Sequence, residues 1–185
     1  MSTEANSAPD RRSMWLCTVL LVAACASASL VFACATPFAA FAVLAAAVLP
    51  LRPALIAIAL VWAVNQAIGF GILDYPRDFN AAAWGLGIGA AALITTAAAA
   101  GMFRQFARWS SYAVYPFALV ACYAVYELVM LAMTPMLGGI ESFSLEIVGH
   151  LAFVNAIWLA GLIMSYELLR RVNGLVPHGA GERSL

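Results

Sequence analysis

Glu127 is an acid in the middle of a long apolar run, SSYAVYPFALVACYAVYELVMLAM. A carboxylate at such a place costs kilocalories unless it is paired, protonated or wetted, so it marks a candidate functional group by default. Asn65 and Gln66 raise the same question as two adjacent amides inside VWAVNQAIGFG. On a helix, Trp62, Asn65, Gln66, Gly69 and Leu73 share one face, a stripe of indole, amides and glycine that points to protein or a cavity rather than to lipid. Tyr123, Tyr126, Glu127 and Met130 form one broad face of a second helix. A third carries Asn80 and Trp84 near its start, and a fourth carries His150, Asn155 and Trp158. His150 and Asn155 lie about 140° apart, so one of them can face a ligand while the other ties helices together.

These residues need elements to hold them, and the composition says of what kind. The chain has 185 residues, 65% hydrophobic and 10% charged, with a mean hydropathy of +0.94. A soluble domain is nearer half apolar and a quarter charged, so the chain is read as an integral membrane protein in the lipid bilayer. Its nine basic residues are all arginine and are balanced by nine acids; with no basic excess, nucleic acid is excluded as a partner.

Six apolar segments follow one another at roughly 13–35, 37–50, 52–73, 80–103, 110–133 and 144–169. Five are long enough to cross a hydrocarbon core of about 30 Å, whereas PFAAFAVLAAAVL, at about 20 Å, tilts or stops partway. Pro37, Pro50 and Pro53 punctuate this short segment and set it apart from the next. The count is supported by charge. Six helices with a cytoplasmic N-terminus place Arg11, Arg12, Arg52, Arg104, Arg108, Arg170, Arg171 and Arg183 on the cytoplasmic side and leave only Arg77 outside. Fusing the second and third segments would put Arg104 and Arg108 opposite Arg11 and Arg12. The expected fold is therefore an all-α six-helix bundle over residues 13–171, both termini cytoplasmic, with polar tails at 1–12 and 172–185.

A secretory signal competes for the first segment: Arg11-Arg12, an apolar stretch and Ala33-Cys34-Ala35 resemble a cleavable leader, and VAAC at 22–25 a lipoprotein box. The apolar run is longer than a usual leader and more membrane follows at once, so retention is expected. Cys17, Cys25, Cys34 and Cys122 form no C-x-x-C pair and read as small core hydrophobes. The Gly85-x-x-x-Gly89 pair is expected to let another backbone approach. Glu167, just before Arg170 and Arg171, reads as a local ion pair with no site role.

On this topology Trp62, Asn65, Gln66, Asn80, Trp84, Tyr123, Tyr126, Glu127, His150 and Asn155 fall in the outer half of the membrane. The inner half is mostly aliphatic. This asymmetry fits an outward-facing binding pocket over an apolar plug better than a water-filled pore. Hydrolase, zinc-protease and phosphate-loop signatures are missing, no metal-spaced His/Cys/Asp set occurs, and GLGIGA at 85–90 lies inside a span. The chain is accordingly read as non-enzymatic, without metal or cofactor.

The run TPFAAFAVLAAAVLPLRPALIAIALVWAVNQAIGFG, residues 36–71, resembles the early region of S-components, the substrate-binding subunits of energy-coupling factor vitamin transporters, biotin-type members above all. The similarity lies in the Pro-containing outer loop, the short apolar helix, the turn Leu51-Arg52-Pro53 and the helix end Ile68-Gly69-Phe70-Gly71. It implies six helices in a bacterial inner (plasma) membrane, capture of a vitamin-like or cofactor-precursor molecule, and a transmembrane coupling subunit with ATPases docking on the first helix at Ala24 and Ala28. The outer loop Ala35-Thr36-Pro37-Phe38 differs from the biotin-binding members, so ligand identity does not carry over. Two other readings stay open. One is a non-catalytic accessory or scaffolding subunit of a larger membrane complex, with the polar residues as interhelical glue. The other is a proton-linked transporter or membrane enzyme centred on Glu127.

Overall fold

The structure is a computed structural model that describes residues 11–32 and 36–175. The tail 1–10, the Ala33-Cys34-Ala35 stretch with Cys34, and residues 176–185 lie outside the described residues. Everything described is helix or connection: α1 (Arg11–Phe32), α2 (Phe38–Val48), α3 (Leu51–Gly71), α4 (Phe79–Gln105), α5 (Ser111–Leu137), a short 3-10 helix (Ile140–Phe143) and α6 (Leu145–Leu175). Five are long and apolar enough to cross a membrane, and α2 is the short one. The arginines at 11, 12, 52, 104, 108, 170 and 171 sit at one set of helix ends or in the α4–α5 turn, and Arg77 sits in the opposite α3–α4 loop.

The five long helices close a ring in the order α1, α3, α4, α5, α6 and back to α1, and α2 stands inside it, touching all five. Residues 38–45 of α2 are each at most 2% exposed. The sequence explains why this helix can be central. FAAFAVLAAAV is apolar on every side, as a helix buried all round must be, and its alanines admit close neighbours. With 11 residues it is about 16 Å long and reaches only about halfway through a 30 Å hydrocarbon core. Tilting is unnecessary: a helix enclosed by protein has no lipid thickness to match. The non-helical backbone at its start also lies where protein surrounds it, the one setting in which such backbone is tolerated at membrane depth.

Several boundaries move from the sequence expectation, by local causes. Helix α3 stops at Gly71 rather than 73: the Leu73 nitrogen turns back to the Ile68 carbonyl at 3.0 Å, and Asp74 takes a left-handed backbone (φ 51°). Leu73 therefore does not continue the stripe begun by Trp62. Helix α4 starts one residue early because the Asp78 carboxylate caps the Ala81 nitrogen at 2.8 Å. Helix α5 runs four residues further, through Pro135, and ends on Gly138 at φ 83°, where a side chain would be strained.

Candidate functional site

The end of the bundle opposite the clustered arginines, the outer end on the orientation expected from charge, holds a cavity of 260 Å³ between α3, α4, α5 and the start of α2. Its floor is Thr36 and Phe38, the entry to the buried helix. Asn65, Gln66 and Phe70 of α3 form one wall, and Trp84, Gly85 and Ile88 of α4 the wall opposite. Tyr126 of α5 closes a third side, its ring stacked on Phe38 with centroids 6.2 Å apart. Tyr75 and Pro76, from the α3–α4 loop, fold over the mouth. The volume falls just under the range of about 300–1,000 Å³ common for small-molecule sites, so it suits a compact ligand.

The two amides divide their work. Asn65 Nδ2 donates to Ser29 Oγ at 2.9 Å and to Thr36 Oγ1 at 3.0 Å, and Asn65 Oδ1 accepts from Gln66 Nε2 at 3.0 Å. Both amide hydrogens are spent, and together they pin α3 to α1 and to the approach of α2. Gln66 spends only its nitrogen. Its Oε1, the Tyr126 hydroxyl and the Trp84 indole nitrogen have no hydrogen-bond partner among the described residues, and all three residues belong to the cavity lining. The residues around this ring-walled space thus carry an acceptor, a hydroxyl able to do both, and a donor that are not used within the chain.

Trp62 stands behind the wall rather than in the cavity. Its Nε1 donates to the Gly85 carbonyl at 2.8 Å. The Gly85/Gly89 pair consequently works differently from the expectation of a close backbone. The glycines make room for α3 side chains: a Cβ at Gly85 would lie 2.5 Å from Gln66 Oε1, and one at Gly89 would lie 2.8 Å from the Trp62 indole. The bulky stripe on α3 needs a groove, and two glycines one turn apart on α4 cut it.

The remaining candidates are not brought to this cavity. Tyr123 donates its hydroxyl to the Val148 carbonyl of α6 at 2.8 Å. Glu127 is half-buried beside the Tyr123 hydroxyl, on the α6-facing side of α5, and makes no ion pair among the described residues. His150 is exposed. Asn155 is buried and spent on packing: its Oδ1 accepts from the Ala40 nitrogen at 3.1 Å and its Nδ2 donates to Leu151 at 2.9 Å. Of the two α6 residues, Asn155 is the one that ties helices. Asn80 likewise ties α4 to the end of α5 through the Leu137 carbonyl at 2.9 Å.

Tyr75 is the wall residue that sequence reasoning missed, along with Phe38 and Phe70. One signal for it existed. Gly69 sits five residues before the loop DYPRDFN, and a Cβ there would lie 2.7 Å from the Tyr75 ring. The Tyr75 nitrogen bonds the Gly69 carbonyl at 3.0 Å, and its ring meets Phe70 edge-on at 6.2 Å. Gly69 is thus the seat on which the loop aromatic folds back.

Elsewhere, Ala28 is fully buried and Ala24 packs partly against the same core, so the small-residue stripe of α1 faces inward here. Cys17, Cys25 and Cys122 are buried free thiols. Glu167 pairs with Arg170 at 2.9 Å. Among the described residues no group of three or more His, Cys, Asp and Glu is placed to hold a metal.

No family model, no curated protein and no solved structure matches the chain.

Proposed function

We propose that this membrane protein is a capture subunit that binds a small vitamin-like or cofactor-precursor molecule from the outer side. The observation that supports it is the division within the cavity wall: Gln66 Oε1, Tyr126 and Trp84 are left without partners where four neighbouring rings could clasp a flat or apolar body. Interhelical glue would consume those groups. The ligand binds with its ring or apolar part against Phe38, Phe70, Trp84 and Tyr126, and its polar group meets Gln66 and Tyr126. The resemblance of residues 36–71 to S-components supports the same reading and adds a coupling subunit with ATPases as the source of energy for release and uptake. No residue of the cavity does chemistry on the ligand in this proposal.

The test is a thermal-shift screen in detergent against a panel of vitamins and cofactor precursors, biotin included. A hit should raise the Tm of the wild type, and Gln66→Leu and Tyr126→Phe should abolish that rise while folding normally. If no compound shifts the wild type, the capture reading fails.

A second reading, an accessory or scaffolding subunit of a larger membrane complex, draws on a different set of residues. Asn65, Asn80, Tyr123 and Asn155 are all committed to joining helices. Such bonds are worth about 0.6–1 kcal/mol each in a membrane bundle. This reading gains if the screen is silent and the protein co-purifies stoichiometrically with a membrane partner.

A further inference from the structure

At the arginine-rich end, where α4 turns into α5, lies a second concavity of 280 Å³ lined by Met102, Phe106, Trp109, Val114 and Phe117. No polar side chain lines it. Met102 and Phe106 form the α4 side and Val114 and Phe117 the α5 side. The Trp109 ring sits at the mouth against Phe106, centroids 5.6 Å apart. Phe117 and Trp109 are largely exposed and Val114 is buried, so the hollow deepens from the interface toward the bundle. An apolar hollow offers water nothing to bond, so it favours a hydrocarbon occupant.

The charge beside it selects the lipid. Arg108 lies in the turn between Phe106 and Trp109, whose rings meet at a tilt, is exposed, and makes no hydrogen bond or ion pair among the described residues. Arg104 is the natural contrast. It lies two residues from both Met102 and Phe106, about 200° round α4 from the hollow, and as the basic residue of the last turn it complements the helix C-terminus. Arg108 has no such role within the chain. An exposed guanidinium, an indole at the mouth and an apolar slot behind it match the phosphate, glycerol region and acyl chain of one phospholipid. An anionic headgroup adds attraction that a zwitterionic one lacks.

We propose that the α4–α5 hollow is a binding site for one anionic phospholipid of the leaflet on the arginine-rich side, its acyl chain between Met102, Val114 and Phe117 and its phosphate on Arg108. The site lies at the opposite end of the bundle from the outer cavity and does not depend on what that cavity binds.

Native mass spectrometry of detergent-purified protein, titrated with dioleoyl phosphatidylglycerol or dioleoyl phosphatidylcholine, tests it. The wild type and Arg104→Gln should each retain one tightly held phosphatidylglycerol, with phosphatidylcholine at least tenfold weaker, and Arg108→Gln should lose that preference. Equal retention of the two lipids by the wild type would overturn the proposal, as would equal losses in Arg104→Gln and Arg108→Gln. Glycerol 3-phosphate, the headgroup without chains, should not compete; if it displaces the lipid, the hollow is not what holds it. A second readout uses phosphatidylglycerol with brominated chains, which should quench part of the tryptophan emission in the wild type and a smaller part in Trp109→Phe.

Discussion

The side-chain oxygen of Asn155, on α6, accepts the backbone N–H of Ala40, in the first turn of α2, at 3.1 Å across 115 residues of sequence. A helix start needs acceptors for its first N–H groups. Pro37 precedes α2 and offers no side-chain oxygen. In water the solvent would serve, but α2 begins inside the bundle. Asn155 is therefore an N-cap supplied by another helix, and it fixes how far α2 rises toward the outer cavity whose floor Phe38 forms.

Replacing Asn155 by leucine should keep the volume and orphan the Ala40 N–H. The expected loss is about 1–3 kcal/mol, the cost of a buried donor left unpaired. Thermal denaturation in detergent should show a lower Tm for Asn155→Leu. An unchanged Tm would mean the cap is dispensable.

Asn65 and Gln66 should separate cleanly although they are adjacent. Asn65→Leu removes three side-chain bonds, at about 0.6–1 kcal/mol each, and should destabilise by about 2–3 kcal/mol. Gln66→Leu removes one and should cost about 1 kcal/mol or less. Tm measurements on the two variants check the order; a reversed order would show that Gln66, not Asn65, holds the helices.

That contrast also shows where sequence reading stops. The six helices, the short second one and the side on which the arginines gather were legible because they rest on hydropathy length and charge, which are local quantities. Convergence of Asn65, Gln66, Trp84 and Tyr126 near one depth was legible from helix phase and topology. What each polar group does there was not, since it depends on which partner lies across the interface. Asn155 and Gln66 look alike in sequence; one meets a helix start and the other an open space. Nor could phase alone show that α2 stands inside a ring, because an all-apolar segment has no face to orient it.

Glycine substitutions should grade by what a methyl group would meet. At Gly101 nothing lies within 4 Å, so Gly101→Ala should gain up to about 1 kcal/mol from helix propensity. At Gly85 the obstacle is the flexible end of Gln66, so Gly85→Ala should reshape the cavity with a small stability change. At Gly89 it is the rigid Trp62 indole, anchored by its bond to Gly85. Gly89→Ala should therefore cost about 1–3 kcal/mol through overpacking. A Tm series in the order Gly101→Ala, Gly85→Ala, Gly89→Ala, from highest to lowest, is the expected result.

The orientation of the bundle follows from its arginines and can be read with thiol labels. Ala107, in the α4–α5 turn, and Ser142, in the 3-10 helix, are both exposed and lie at opposite ends. Cys17, Cys25 and Cys122 are buried in the helices and should stay silent, leaving Cys34 as the one native thiol to replace by serine. If the arginine-rich end is cytoplasmic, a membrane-impermeant maleimide should label Ser142→Cys in intact cells. It should reach Ala107→Cys only after permeabilisation. The opposite pattern would invert the molecule, turn the ring-lined cavity toward the cytoplasm, and remove the basis for reading it as a site that captures from outside.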